Sequence, residues 1–321
     1  MRFKIFLLIL WLGVCGLSEA AEKTPIRIGV QSTGTLEWEL LVLKTDPALN
    51  NADFEVQVTS LANAEAGKIA LQSGSVDIIV SDWIWVSSIR AAGGDLTFYP
   101  YSTTSGALIV PENSSIHSLA DLKGKRLGIA GGELDKNWLL LQALAQKQQL
   151  NLAAAVEKTY AAPPLLNEQI KQERLDALLT YWHFAARLET QGYRQIIDGS
   201  EILKGLGVTA NVPSLGYVFK KSWADAQKPA LTHFLKAARL AKQQICTKDS
   251  VWQTVVPLTH VSDEKTLELL RQRYCQGGVE QWGAAEQQAA ETIYQLLRGV
   301  SQNQLTGTAE HVSSGTFWTL D

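Results

Sequence analysis

The sequence predicts an α/β fold in two lobes, each a mostly parallel sheet flanked by helices. Two patterns point to it. Short β-branched runs alternate with helical stretches from Ile26 to Asp198, in two successive blocks. The chain then returns in extended form and turns helical, so the second block reads as an insert and the first lobe as discontinuous. Composition agrees. The chain has 321 residues, of which 46% are hydrophobic and 19% charged, and its mean hydropathy is −0.03. That is a foldable chain with room for two domains of roughly 150 residues each.

The elements follow in order. Residues 1–20 read as an export signal: Arg2 and Lys4 supply the positive start, Ile5 to Leu17 the apolar run, and Ser18-Glu19-Ala20 the small residues before a cut after Ala20. About 13 apolar residues are short for an uncleaved anchor, which needs roughly 20. A lipid anchor on Cys15 would want a small residue where Val14 stands. Ile26–Val30 reads as the first strand, Gln31–Thr35 as a polar loop, and Leu36–Lys44 as a helix with Leu36, Leu40 and Leu43 on one face. Strands at Phe54–Val58, Val76–Val80 and Leu96–Tyr101 alternate with helices at Ala64–Gln72 and Trp83–Ala92.

The second block runs from Gly106. It contains strands Arg126–Ala130 and Asp176–Tyr181, an edge-like strand Gln195–Asp198, and helices near 134–149 and 165–172. Two strands, near 102–110 and 208–216, are expected to cross between lobes. Pro229 lies near the start of a long helix. Ser262 is expected to cap the next helix and Gly299 to stop the last. The organisation is therefore 1–20 signal peptide, 21–105 with 212–321 as the first lobe, and 106–211 as the second.

Charge and cysteines narrow the function. Losing Arg2, Lys4 and Glu19 leaves 27 basic and 31 acidic residues, a net −4, so no general basic surface invites nucleic acid. Cys15 leaves with the signal, and Cys246 and Cys275 remain. In an oxidising compartment they suggest a disulfide between neighbouring helices, the alternative being two separate buried thiols. There is no Gly-x-Ser-x-Gly, no His-Glu-x-x-His and no phosphate loop, and the five scattered histidines show no metal spacing. No catalytic residue, metal or cofactor is expected.

In α/β sheets ligands sit beyond the C-terminal ends of strands, at helix starts. That rule selects Ser32, Thr33 and Gly34 with Trp38 behind them; Ser81, Asp82 and Trp83; Thr104 and Ser105; Gly131, Gly132 and Glu133; Tyr181, Trp182 and His183; and Asn211 on the return crossing. Glycine and hydroxyl residues at helix starts suit anions. Asp82 and Glu133 argue against a bare anion unless they cap helices or pair with Lys or Arg, or unless the ligand carries an amine. Of Trp38, Trp83, Trp85, Trp138 and Trp182, two or three are expected at the cleft and the rest in packing. His183 either borders the cleft or is structural.

The run Ser115-Ile116-His117-Ser118-Leu119-Ala120-Asp121-Leu122-Lys123-Gly124-Lys125, followed by Arg126–Ala130, resembles the start of the second lobe in type 2 periplasmic binding proteins. Leu166 to Trp182 and Gly74–Ile79 are similar to further segments of that family, in its branch for sulfonates, nitrate and thiamine precursors. The likeness covers nearly the whole chain after the signal. It implies a two-lobed fold hinged at two crossover strands, and a periplasmic receptor that delivers a small organic solute, sulfonate-like or a related anion or zwitterion, to an ABC permease in the inner membrane. A monomer is expected; the same fold hosts enzymes that use cleft cysteines, but after the signal this chain has cysteines only at 246 and 275, in the helical return, so no enzyme is expected. Leu43–Pro47 replaces a glycine-containing stretch of the family pattern, and His183 stands where a proline is often near. Both lie by the expected cleft and leave the ligand class open. The rival readings are a periplasmic enzyme or sensor module on the same fold, or a receptor for a flat heterocycle such as a thiamine precursor.

Overall fold

The computed structural model describes residues 23–50 and 53–320. The signal peptide, its cut after Ala20 and the lipid-anchor position Cys15 lie outside them. The first block comprises β1 (Thr24–Gln31), α1 (Leu36–Thr45), β2 (Phe54–Leu61), α2 (Ala64–Ser73), β3 (Ile78–Ser81), α3 (Trp83–Ala91) and β4 (Leu96–Ser102). The second runs through β5 (Gly106–Pro111), β6 (Arg126–Ala130), α4 (Lys136–Lys147), α5 (Leu152–Ala155), β7 (Glu157–Ala161), α6 (Pro163–Lys171), β8 (Ala177–Tyr181), α7 (Trp182–Glu189), β9 (Tyr193–Asp198) and α8 (Gly199–Leu206). The return comprises β10 (Leu215–Lys220), α9 (Lys221–Ala226), α10 (Lys228–Thr247), α11 (Asp249–Thr259), α12 (Glu264–Gln276) and α13 (Ala284–Val300).

Two five-stranded mixed sheets result, in the orders β2-β1-β3-β10-β4 and β7-β6-β8-β5-β9. In the first, β1 is parallel to β2 and β3 while β10 is antiparallel to β3 and β4. In the second, β6 is parallel to β7 and β8 while β5 is antiparallel to β8 and β9. The two sheets share one plan. Four strands run one way, and the reversed strand is the one the chain forms on arriving from the other sheet. Helical crossovers account for the parallel strands, since those need long connections.

The likeness extends to side chains. Arg27 on β1 holds Asp77, just before β3, through its backbone N–H and its guanidinium, at 2.9, 3.0 and 2.5 Å. Arg126 on β6 holds Asp176, just before β8, the same way at 2.8, 3.1 and 2.6 Å. Each arginine thus braces the N-terminal end of a neighbouring parallel strand with a forked, charge-assisted grip.

Apolar packing lies on the sheet faces. One buried cluster joins α3 and β4 of the first sheet, through α13, to α4, β5 and β6 of the second. Another fills the far face of the first sheet, where Trp38, Phe54, Phe234, Trp252 and Tyr274 meet. Cys246, at the end of α10, is bonded to Cys275, at the end of α12, with a Cα–Cα distance of 5.7 Å. The disulfide reading therefore holds over separate thiols.

Several boundaries differ from expectation. The crossings are not continuous strands: Thr103–Ser105 and Gly207–Ser214 are irregular and join β4 to β5 and α8 to β10. They lie side by side, with the Ser214 hydroxyl donating to the Thr104 carbonyl at 2.5 Å. Asp263, not Ser262, caps α12, accepting from the Thr266 N–H at 2.8 Å. Its ionised carboxylate is the better partner for the positive helix end. Gly299 lies inside α13, which ends at Val300.

Candidate functional site

The strand tips of the two sheets face each other. From the first sheet come the loop after β1, the start of α1, and the β3–α3 junction. From the second come the β6–α4 loop and the β8–α7 junction. Three contacts mark the encounter at the tips, while α12 holds α7 further back, through Arg273 to Glu189 at 2.6 Å and Thr266 to Thr190 at 2.6 Å. Lys136, the first residue of α4, donates to Asp82, the cap of α3, at 3.0 Å. Trp182, opening α7, meets Trp38 of α1 edge to face at 6.4 Å. The Thr33 backbone lies close enough to His183 to bear on its titration.

Asp82 has two tasks. One carboxylate oxygen accepts from the Trp85 N–H at 2.9 Å, capping α3, and the other accepts from Lys136. Burial, the largest influence, pushes its pKa up; Lys136, the Trp85 N–H and Lys68 together outweigh it, so the carboxyl stays below the usual range. The acid at the β3 tip is thus neutralised. On the other side Asp135 caps α4, accepting from the N–H groups of Asn137 and Trp138 at 2.9 and 3.2 Å. Burial pushes the Asp135 carboxyl up, against the pull of Lys136. Burial likewise works against the Lys136 ammonium, and Asp82 with Asp135 raises it overall. Glu133 is exposed.

Gly131 has φ +92°, a left-handed conformation, and a Cβ there would lie 3.2 Å from the Tyr181 hydroxyl and 3.3 Å from Asp135 Oδ2. That bend brings the β6–α4 loop under Tyr181, whose phenol is pushed up to about 12, chiefly by burial and then by Asp135. Gly132 follows in the same loop. His183 packs against Phe184, Trp182 and Tyr181, with ring centroids 4.5, 5.3 and 6.5 Å away. Neither of its ring nitrogens has a hydrogen-bond partner among the described residues. Burial lowers its pKa to about 3, Arg187 adds to that, and the Thr33 backbone opposes. The imidazole is neutral at physiological pH.

Helix starts differ in a useful way. Asp82 and Asp135 cap α3 and α4, but α1 and α7 begin without a side-chain cap. Their first N–H groups therefore have no side-chain acceptor, and they open near Ser32, Thr33 and Gly34, all exposed, and near Tyr181 and Trp182.

The remaining sequence-selected residues are engaged mostly in packing or in the crossings beside this space. Trp83 is 2% exposed and donates its indole N–H to the Pro213 carbonyl at 3.1 Å, so its ring belongs to packing. Trp38 is also buried and offers only an edge, through Trp182. Trp138 is a core residue, whereas Trp85 is partly exposed. Ser81 is buried at the β3 end. Thr104 is held in the crossing by Ser102, hydroxyl to hydroxyl at 2.8 Å, and Ser105 lies against Gly199. Asn211 is exposed on the return crossing. Two residues escaped the sequence reading. Lys136 and Asp135 follow a Gly-Gly loop at a helix start, but nothing local shows which acid a lysine will meet across two sheets.

Among the described residues no helix is long and apolar enough to cross a membrane, and no group of three or more His, Cys, Asp or Glu could hold a metal ion.

Comparison with known proteins places this arrangement. Residues 50–248 match the family described as NMT1/THI5 like. A putative aliphatic sulfonates-binding protein of Escherichia coli (strain K12) is 30% identical over 202 residues, a match spanning 60% of this chain and 60% of that relative. Among solved structures, the alkanesulfonate-binding protein SsuA from Xanthomonas axonopodis pv. citri, bound to MOPS, superposes with a TM-score of 0.70 at 20% identity, covering 93% of this chain and 99% of that one. The periplasmic aliphatic sulphonate binding protein SsuA from Escherichia coli gives 0.70 at 19%, covering 92% and 98%. These likenesses establish the two-lobed fold.

Proposed function

The chain belongs to the NMT1/THI5-like family, and from that premise we propose that it is the periplasmic solute-binding component of an ABC importer, holding a small organic anion or zwitterion, sulfonate-like in chemistry, between its lobes. The lobes are 21–105 with 212–321, and 106–211, and they hinge where Ser214 meets Thr104. The observation that carries the reading is the meeting of strand tips from both sheets through Asp82–Lys136 and Trp38–Trp182.

The chemistry fits an acidic head group. The uncapped starts of α1 and α7 supply N–H donors and the positive ends of helix dipoles, each worth about 0.3–1 kcal/mol for an exposed anion and up to ~2 when partly buried. Asp82 does not repel such a group, because it caps α3 and pairs with Lys136. The Tyr181–Trp182–His183 run gives an aromatic wall for the ligand body. That same run supports a second reading, a flat heterocycle stacked on Trp182. In either case the ligand favours closure only by its better contacts in the shut state, and a swing from 1:99 to 99:1 needs about 5.5 kcal/mol of differential binding. Partners are then the solute and an inner-membrane permease, with the receptor a monomer.

Isothermal titration and thermal shift of the mature chain against alkanesulfonates, taurine, nitrate and aminopyrimidines test the proposal, with mass spectrometry for turnover. Saturable stabilisation by a sulfonate, without product, is expected. Binding of the pyrimidine instead selects the second reading, and product formation overturns both.

A further inference from the structure

The first lobe contains a cavity of about 340 Å³ that no residue of the second sheet lines. It lies between β4, α10, the segment before α13 and the C-terminal residues. Its volume falls in the range of small-ligand sites, roughly 300–1,000 Å³, at the end suited to a single ring. Tyr99, Trp282 and Trp318 supply aromatic walls, and Tyr101, Lys242 and Arg239 supply the polar lining. The cavity is separate from the proposed interlobe site.

The hydrogen-bonding capacity here is unbalanced in one direction, although the acids Glu39 and Glu280 match Lys242 and Arg239 in number. Glu39, fully buried at the inner end, has both oxygens engaged: Tyr101 donates at 3.0 Å and Tyr274 at 2.5 Å. The Lys242 ammonium donates to the Tyr101 carbonyl at 3.1 Å and lies over the rings of Tyr101 and Tyr274, 4.5 and 4.9 Å from their centroids. An ammonium has three donors, and only that one hydrogen bond is formed among the described residues. The Trp282 indole N–H is buried with no acceptor among them. Arg239, one turn before Lys242 on α10, makes no ion pair among the described residues and brings its charge close enough to act on the Tyr99 phenol. The charges of Glu39 and Lys242 offset one another at the inner end, so the groups left over are the spare Lys242 donors, the Trp282 N–H and the Arg239 cation. The second acid, Glu280, is exposed at the rim. Leaving a buried donor unmet is costly, and an acceptor-rich anion satisfies all three groups at once.

We propose that this cavity is a second ligand site, for a small organic anion made of a carboxylate or similar oxyanion on one flat ring. Lys242 and the Trp282 N–H bind the charged head, Arg239 closes over it at the mouth, and Tyr99 and Trp318 sandwich the ring. Binding here does not require the interlobe site, so it survives failure of the transport reading.

Benzoate is the probe, titrated into the mature chain while the tryptophan emission to which Trp282 and Trp318 contribute is followed, with calorimetry for stoichiometry. One saturable site is expected at or below about 10 mM, the weak end for a fragment of this size. Lys242→Met should weaken it at least about tenfold, as loss of a charged hydrogen-bond donor does. Arg239→Gln, at an exposed position, should weaken it about threefold. Tyr181→Ala, in the interlobe space and with no ring contact to the cavity lining, should leave it unchanged. Absence of saturation at 10 mM overturns the proposal. So does binding that Tyr181→Ala abolishes while the Lys242 and Arg239 variants retain it.

Discussion

The Asp82–Lys136 pair is the most direct test of how the two lobes meet. At 3.0 Å the gross attraction is about 5 kcal/mol at an effective dielectric of about 20. Desolvation takes back much of it. The Asp82 side chain is 6% exposed and that of Lys136 32%, so the carboxylate bears most of the burial and water still reaches the ammonium. A net coupling of about 1–3 kcal/mol remains, roughly 5- to 150-fold in an equilibrium constant. The substitutions separate the two tasks of Asp82. Asp82→Asn keeps an oxygen for the Trp85 N–H and removes only the charge, since asparagine caps as well as aspartate. Lys136→Met keeps the stem and leaves a buried carboxylate alone. Lys136→Met should therefore cost more than the double variant, and the four proteins should give a coupling of about 1–3 kcal/mol in urea unfolding. Because the pair joins α3 of one sheet to α4 of the other, Lys136→Met should also raise the radius of gyration in small-angle scattering. With the Asp82 pKa held below its ordinary value, the contribution is present above the unfolded pKa near 3.8 and disappears as pH falls below it. A coupling under about 0.5 kcal/mol with no change in radius refutes the bridge.

Four other outcomes follow. His183, with its pKa near 3 against an ordinary 6.5, stays neutral in the fold while the unfolded chain takes up a proton; stability should fall by about 1.4 kcal/mol per pH unit below 6.5, and His183→Gln should remove that slope in urea titrations at pH 7, 6 and 5. Reducing Cys246–Cys275, which closes a separation of 29 residues, should cost about 3–4 kcal/mol on the loop-entropy account, read as a lower melting temperature in calorimetry; an unchanged transition counts against it. Trp182→Ala removes ring contacts to Trp38 and Tyr274 and should weaken the interlobe ligand at least about tenfold; unaltered affinity in calorimetry moves the site elsewhere. Asp176→Asn loosens the grip of Arg126, whose hydrogen bonds are the main reason the Asp176 carboxyl sits below its ordinary pKa, and should cost about 1 kcal/mol above pH 4, discounted for exposure, with the difference closing as pH drops below 3.8.

The parts of the fold that read clearly in the sequence were those with one dominant local signal. Arg126–Ala130 and the run ending at Tyr181 are apolar, β-branched or leucine-rich, and buried on both faces, so a central parallel strand was the evident reading. The edge strand β7, Glu157-Lys158-Thr159-Tyr160-Ala161, has one protected side and carries charge, and it gave no such signal. The short helices α7 and α8 follow their strands with no loop to mark them. At the site, the rule about strand tips found the loops but not the partners. Trp83 sits at a tip, yet its N–H turns back to Pro213, and which way an indole at a helix start points depends on the other sheet. Glu39 had a legible sign, an acid on the same face as Leu36, Leu40 and Leu43, but its phenol partners come from residues 62 and 235 positions away.

The twin arginine braces have a consequence for what this architecture can tolerate. Arg27–Asp77 and Arg126–Asp176 grip the strands at the end opposite the tips. The framework of each half is thereby secured at its base, and the loops at its rim do not hold the strands in line. On the proposed function, amino-acid changes around Thr33, Gly132 or Trp182 re-cut the shape of what is grasped without unseating the strands beneath, so anchorage and selectivity occupy opposite ends of the same four strands, β1, β3, β6 and β8.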